Sequence, residues 1–221
     1  MTARFATVVL DVDSTVSGME GIDWLASLRD PDVAKRIADL TADAMSGRRT
    51  LGEVYAARLD MVRPTRAEVD RLADAYQAAI APRAAEVVRH LITAGVRVLL
   101  VTGGVREAVL PLAARLGVPD HDVHAVPLEY DPEGAYLRFD PGALTAAEQG
   151  KRLLVERLAP QRPILAVGDG ITDAELKPVV DAFGAFVGFV RREEVVQHAD
   201  FILESFADLE DLVLSAPVSA P

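Results

Sequence analysis

Ala6-Thr7-Val8-Val9-Leu10-Asp11-Val12-Asp13-Ser14-Thr15 decides how this chain is read. Its first five residues are apolar or β-branched and form a run short enough to be a buried strand that stops where the acids begin. Two carboxylates, Asp11 and Asp13, then project from the carboxyl end of that strand, where open α/β sheets place their ligands. One such carboxylate can attack as a nucleophile and the other can carry a proton, while both offer oxygen to a hard divalent cation. Aspartate at a strand end is also an ordinary turn former. The chemical reading therefore depends on partner residues recurring at the ends of later strands.

They recur. Val96 to Val101 reads as a second strand, preceded by a helix over about 82–94 that stops at Gly95, and followed by Thr102-Gly103-Gly104. A hydroxyl and two residues without side chains let backbone N–H groups approach phosphate oxygens; the plainer reading is a strand-to-helix turn that needs glycine. Pro163 to Val167 reads as a third strand, running into Gly168-Asp169-Gly170-Ile171-Thr172-Asp173. Asp169 falls at the strand end and Asp173 near the start of the next helix, which an N-cap with an acidic first turn would also explain. Gly150-Lys151 opens a helix just before that strand. A lysine there opposes the helix dipole and calls for an anion partner, unless it is simply a solvated surface lysine.

Shorter apolar runs over 182–187 and 201–203 supply two more strands. The strand–helix alternation predicts a doubly wound, Rossmann-like parallel sheet in a core of residues 1–15 and 82–215. Residues 16–81 lack a strand pattern and read as four helices over 20–28, 31–45, 50–61 and 65–80. Capping boxes are expected at Thr50-Leu51-Gly52-Glu53 and Thr65-Arg66-Ala67-Glu68. A helical-bundle cap inserted after the first strand would sit over the strand ends as a lid, excluding water and choosing the substrate. Residues 123–140 read as a small β-hairpin flap around Asp131-Pro132-Glu133-Gly134, with Pro127 marking an edge strand. Pro111 predicts a late start or a bend in the helix after Thr102-Gly103-Gly104.

The chain has 221 residues, half of them apolar, and a net charge of −11. That charge argues against nucleic acid or an anionic membrane as a partner, so a phosphate substrate must be met by a local cation. Without cysteine there are no disulfides and no thiolate metal sites. No apolar span approaches ~18 residues and the start lacks a signal-peptide core, so the cytoplasm is the expected location.

Taken together, the strand-end residues describe a phosphoryl-transfer site. Asp11 would attack phosphorus to give an aspartyl-phosphate, and Asp13 would protonate the leaving alcohol and then activate water. Mg²⁺ would be held by Asp11, the backbone carbonyl of Asp13 and Asp169. Thr102, Gly103 and Lys151 would neutralise the remaining phosphate oxygens.

The order of these motifs (DxDST, TGG, Lys, GDGxTD) resembles the haloacid dehalogenase superfamily of phosphatases, and most closely its phosphoserine phosphatase family, from Ala6 to about Leu212. The resemblance implies hydrolysis of O-phospho-L-serine to L-serine and phosphate, a step of serine biosynthesis. It implies that Glu20 receives the substrate ammonium and Arg58 its carboxylate, with Gly104 completing the phosphate loop. It places Thr172 and Arg192 on the substrate side and Asp173 behind the metal ligands. Trp24 departs from the family pattern, standing where an acid is usual, and is expected to pack the lid or alter the pocket mouth. A monomer or homodimer is expected. Two other functions remain open: action on, or transfer to, another small phosphomonoester or alcohol, and a non-catalytic phospho-ligand binding protein.

Overall fold

The computed structural model describes residues 3–46 and 48–214, the side chains of 51–53 excepted, and Thr7–Leu10 (β1) is one of the two central strands from which the main sheet grows in both directions. The other strands are Arg97–Val105 (β2), Val123–Val126 (β3), Leu128–Tyr130 (β4), Tyr136–Phe139 (β5), Ile164–Gly168 (β6), Ala182–Phe186 (β7) and Phe201–Leu203 (β8). Six of them make one parallel sheet in the order β3-β2-β1-β6-β7-β8. The chain builds outward from β1 through β2 to β3, then returns to β6 on the other side, so β1 and β6 flank the switch point where α/β sheets bind ligands. Leu10 pairs with Leu100 on one side and Val167 on the other, which brings Asp11, Thr102 and Asp169 to one edge.

Alternate residues explain why the strands are apolar throughout. Val8, Leu10, Val98, Leu100, Leu165 and Val167 pack into one core cluster, whereas Val9, Leu99, Val101, Ile164 and Ala166 pack into another. A sheet covered on both faces needs side chains that are apolar in both directions. The helices supply the cover: Ala84–Thr93 (α5), Arg106–Leu116 (α6), Gly150–Leu158 (α7), Ile171–Ala174 (α8), Glu193–Val196 (α9) and Phe206–Leu214 (α10). Helix α5 ends as expected before Gly95, whose φ of +86° suits only a residue without Cβ.

Between β1 and α5 lie Gly21–Ala26 (α1), Pro31–Met45 (α2), Leu51–Val62 (α3) and Arg66–Ala78 (α4). The capping box at the start of α4 forms, with Thr65 Oγ1 accepting from Glu68 N and Glu68 accepting from Thr65 N. The box expected at Thr50-Leu51-Gly52-Glu53 lies outside the described residues. The two chain segments that join these helices to the sheet run side by side: Ser17 pairs with Ile80, Gly18 N–H donates to Ala79 and Ala81 N–H to Val16.

Two expectations need correction. The hairpin over 123–140 is shorter than its sequence pattern: only β4 and β5 form it, around 131–135, while β3 joins the main sheet as its edge strand. Pro127 separates the two roles, since a residue without N–H interrupts pairing at the point where the chain leaves the sheet. Thr102-Gly103-Gly104 is not a turn after β2 but part of that strand, which continues to Val105 past a register shift against β3. Helix α6 accordingly starts at Arg106 and carries Pro111 inside it.

Candidate active site

The loop after β1 is built so that both acids leave it in different directions. Asp11 N–H still donates to Val167 O at 3.0 Å, which keeps its side chain in register with β6. Ser14 then takes a left-handed conformation with φ of +51°, an unfavourable one for a residue with Cβ. It is held there by Ser14 N–H donating to Met19 O at 3.0 Å and by its hydroxyl donating to Glu20 Oε1 at 2.8 Å. Asp13 turns the other way, and its Oδ1 accepts from Gly21 N–H at 3.1 Å and from the Tyr76 hydroxyl at 2.5 Å.

The later strand ends converge on Asp11. Lys151 Nζ donates to Asp11 Oδ1 at 2.8 Å and to Asp173 Oδ1 at 2.7 Å, with all three groups buried. The lysine thus has two anionic partners, and the solvated-lysine reading is excluded. Gly150 allows this approach: a Cβ there would stand 1.6 Å from the Leu144 carbonyl oxygen. Asp173 Oδ2 accepts from Gly170 N–H at 3.1 Å, closing the first turn of α8. The Thr15 hydroxyl donates to Asp169 Oδ1 at 3.3 Å, and Arg192 pairs with Asp169 Oδ2. Thr102 is fully buried, its hydroxyl accepting from Gly104 N–H at 3.0 Å.

Burial and crowding of like charge perturb these groups. Asp13 is pushed well above the usual carboxylate range by burial, with Glu20 and Asp11 adding to it. Asp173 is pushed up to about 7 by burial and by Asp11 beside it, against the opposing pull of Lys151. Burial alone would lower Lys151, but the two carboxylates prevail and hold it firmly charged. A carboxyl whose burial favours its protonated form is suited to donating a proton.

Above these strand ends, Glu20, Ile22, Met45, Tyr55 and Arg58 close a cavity of about 30 Å³ whose floor is Asp11, Asp13, Thr102, Gly103, Lys151 and Thr172. That volume is on the order of one water molecule, which leaves little free space between the cap helices and the acids below. Glu20 stands at the N-cap position of α1 but makes no capping bond; its carboxylate faces Ser14 and lies 3.8 Å from Arg192. Arg58 is buried, 3.7 Å from Asp23, and its Nε has no partner among the described residues. A buried, half-satisfied guanidinium is costly unless something else completes its hydrogen bonds. Gly104 does not line the cavity: it backs onto the Tyr76 hydroxyl. Trp24 also lies away from it, half-buried in the cap beneath the Arg71 guanidinium, which settles its role as packing. A larger surface groove of about 350 Å³ beside β3 contains none of the clustered acids.

The family model described as haloacid dehalogenase-like hydrolase matches residues 8–198. The chain belongs to this family. It is 35% identical over 205 residues to a phosphoserine phosphatase from Bos taurus, covering 91% of this chain and 90% of that protein. It is 33% identical to a chloroplastic phosphoserine phosphatase from Arabidopsis thaliana, covering 91% of this chain and 70% of that one. Its fold matches a substrate-bound phosphoserine phosphatase complex with a TM-score of 0.77 at 22% identity, over 94% of this chain and 96% of the other. A phosphoserine phosphohydrolase-like protein from Francisella tularensis matches with a TM-score of 0.86 at 22% identity, over 93% and 98% of the two chains.

For a member of the haloacid dehalogenase-like hydrolases, the donor set of this site fits a hard divalent cation. Carboxylate oxygens of Asp11, Asp169 and Asp173 lie within 4.8 Å of one another, all buried. Buried carboxylates so close repel strongly, which Lys151 and Arg192 only partly offset. The Asp13 carboxylate lies outside this cluster, bonded to Tyr76 and Gly21 instead, which leaves only its backbone carbonyl for the metal role expected of it.

Two tyrosines escaped the sequence reading. Tyr55 donates from α3 to Gly103 O at 2.7 Å, tying the cap to β2 beside the phosphate loop. Its spacing of three from Arg58 puts both on one helix face, a signal that could have been used. Tyr76 had no such local signal, because its partner Asp13 is 63 residues away.

Proposed function

We propose that this chain is a Mg²⁺-dependent phosphatase that hydrolyses O-phospho-L-serine to L-serine and phosphate. The observation that carries this reading is a cavity with two halves of different chemistry. Its floor holds Asp11, Asp13 and Lys151, which suit phosphoryl transfer, and its roof holds Glu20 and Arg58, which suit the ammonium and carboxylate of an amino acid. Residues 16–81 act as the cap and residues 1–15 with 82–215 as the core, the pair of segments at Ser17 and Ile80 serving as hinge.

In this reading Asp11 attacks phosphorus in line with the leaving oxygen. Asp13, protonated because of its burial, passes its proton to the departing serine oxygen. The ionised Asp13 then takes a proton from the water that cleaves the acyl phosphate. Lys151, Thr102 and the Gly103 backbone hold the phosphoryl oxygens, and the cap keeps bulk water out. Arg58 clamps the substrate carboxylate through its unpartnered guanidinium nitrogen, while Glu20 accepts from the ammonium. Thr172 and Arg192 flank the substrate. Mg²⁺, held by Asp11, Asp169 and the Asp13 carbonyl with Asp173 behind them, would offset the negative charge of the phosphate among these acids.

Glu20→Gln and Arg58→Ala test the substrate assignment. Each should lower kcat/KM for O-phospho-L-serine by roughly a hundredfold, the cost of a lost buried charge contact, and p-nitrophenyl phosphate turnover by no more than about threefold. Equal losses on both substrates would show that neither residue reads the amino acid.

A further inference from the structure

Tyr76 touches the acid–base aspartate from the last turn of α4, although the reading above gives it no part. Its hydroxyl donates to Asp13 Oδ1 at 2.5 Å, and the Gly21 N–H donates to the same oxygen at 3.1 Å. Among the described residues, both hydrogen bonds to this carboxyl group end on Oδ1, and Asp13 lines the cavity. An oxygen that already receives two donors is a poor place for a proton, so a proton on this carboxyl group sits on Oδ2.

The space for the phenol is cut by two glycines. A Cβ at Gly21 would stand 2.1 Å from the Tyr76 hydroxyl, and one at Gly104 would stand 3.2 Å from it. Tyr76 itself is fully buried, which keeps the phenol neutral and able to donate. Its backbone is tied to the hinge, where the Ser17 hydroxyl donates to Tyr76 O at 3.1 Å. One residue therefore links the cap, the hinge through its backbone carbonyl, and the acid through its hydroxyl.

We propose that Tyr76 is a positioning residue that, when the cap is seated, turns the Asp13 carboxyl group so that Oδ2 faces the reacting phosphate ester. As the bond from phosphorus to the ester oxygen breaks, the Oδ2 proton passes to that oxygen and the alcohol leaves neutral. The Asp13 carboxylate left behind takes a proton back from the attacking water, returning the acid to its first state. The inference rests on the phosphatase reading, and its test separates the two.

Tyr76→Phe keeps the ring and its packing and removes only the donor. Two substrates are compared through kcat/KM, which reports steps up to the first departure of the leaving group. O-phospho-L-serine releases an alkoxide that needs a proton; p-nitrophenyl phosphate releases a stable anion that does not. Tyr76→Phe should lower kcat/KM for O-phospho-L-serine by about tenfold or more, part of the 10²–10⁴ that a positioned general acid supplies, and for p-nitrophenyl phosphate by less than about threefold. A tyrosine that merely packs would lower both alike or neither, and either result overturns the proposal. If the wild type ignores O-phospho-L-serine, the substrate reading fails. The same ratio is then measured with any alkyl phosphate that it does hydrolyse.

Discussion

Lys151 is where the charge balance of the site turns. It faces Asp11 and Asp173 at 2.8 and 2.7 Å in a fully buried setting, where each ion would be unstable without the others. Lys151→Met keeps the stem and removes the charge. It should lower kcat/KM by 10²- to 10³-fold, as loss of one preorganised donor to a transferring group does, even at saturating Mg²⁺. Phosphate release assays check this, and a loss under tenfold would take the lysine out of the transition state. Its placement against carboxylates was legible in the sequence because a lysine at a helix start is an electrostatic anomaly that calls for an anion partner. So were Asp11, Asp13 and Asp169, each at the end of an apolar run. Tyr76 was not legible, because nothing near it in the chain distinguishes a hydroxyl in a core from one in a site, whereas Tyr55 carried only its spacing of three from Arg58.

Among the elements, the start of α4 shows how the cap is held together. Arg29 pairs with both oxygens of Glu68 at 2.6 and 2.7 Å while Glu68 also closes the capping box. The Arg29 hydrogen bond is the main cause that draws Glu68 down to about 2, from an ordinary value of 4.5. A depressed carboxylate contributes stability above its unfolded value and loses it as pH falls through the folded one, here between about 4.5 and 2. Glu68→Gln retains the box and deletes the ion pair. Both side chains are about one-fifth exposed, so the pair contributes on the order of 1 kcal/mol after solvent screening. The variant should melt roughly 2–4 °C lower at pH 7, with the gap closing towards pH 2, which calorimetry across pH can follow. An unchanged melting temperature at pH 7 would mean that the pair adds nothing. The cap helices were readable because their start signals are local. Strand β3 was misassigned because a short, largely apolar run before a proline fits a hairpin arm as well as an edge strand, and only the long-range pairing to β2 decides between them.

For the molecule as a whole, a chain of net charge −11 gathers three buried acids, Asp11, Asp169 and Asp173, beside one buried lysine, with the cap helices above them. The parallel sheet explains the gathering, since the register of three adjacent strands at the switch point brings residues 11, 102 and 169 together from distant sequence. A cavity of about 30 Å³ is too small for an amino acid phosphate, so in the proposed reading the cap would have to open, with the paired segments at Ser17 and Ile80 as its hinge. The central claim is that Asp11 is the nucleophile toward phosphoserine. Phosphate release from O-phospho-L-serine, with Mg²⁺ present, is therefore compared between the wild type and Asp11→Asn. The wild type should release phosphate, and the variant should lose roughly 10⁴-fold or more of that rate, as enzymes stripped of their nucleophile do. A variant that kept even a tenth of the wild-type rate, or a wild type inert toward O-phospho-L-serine, would contradict it.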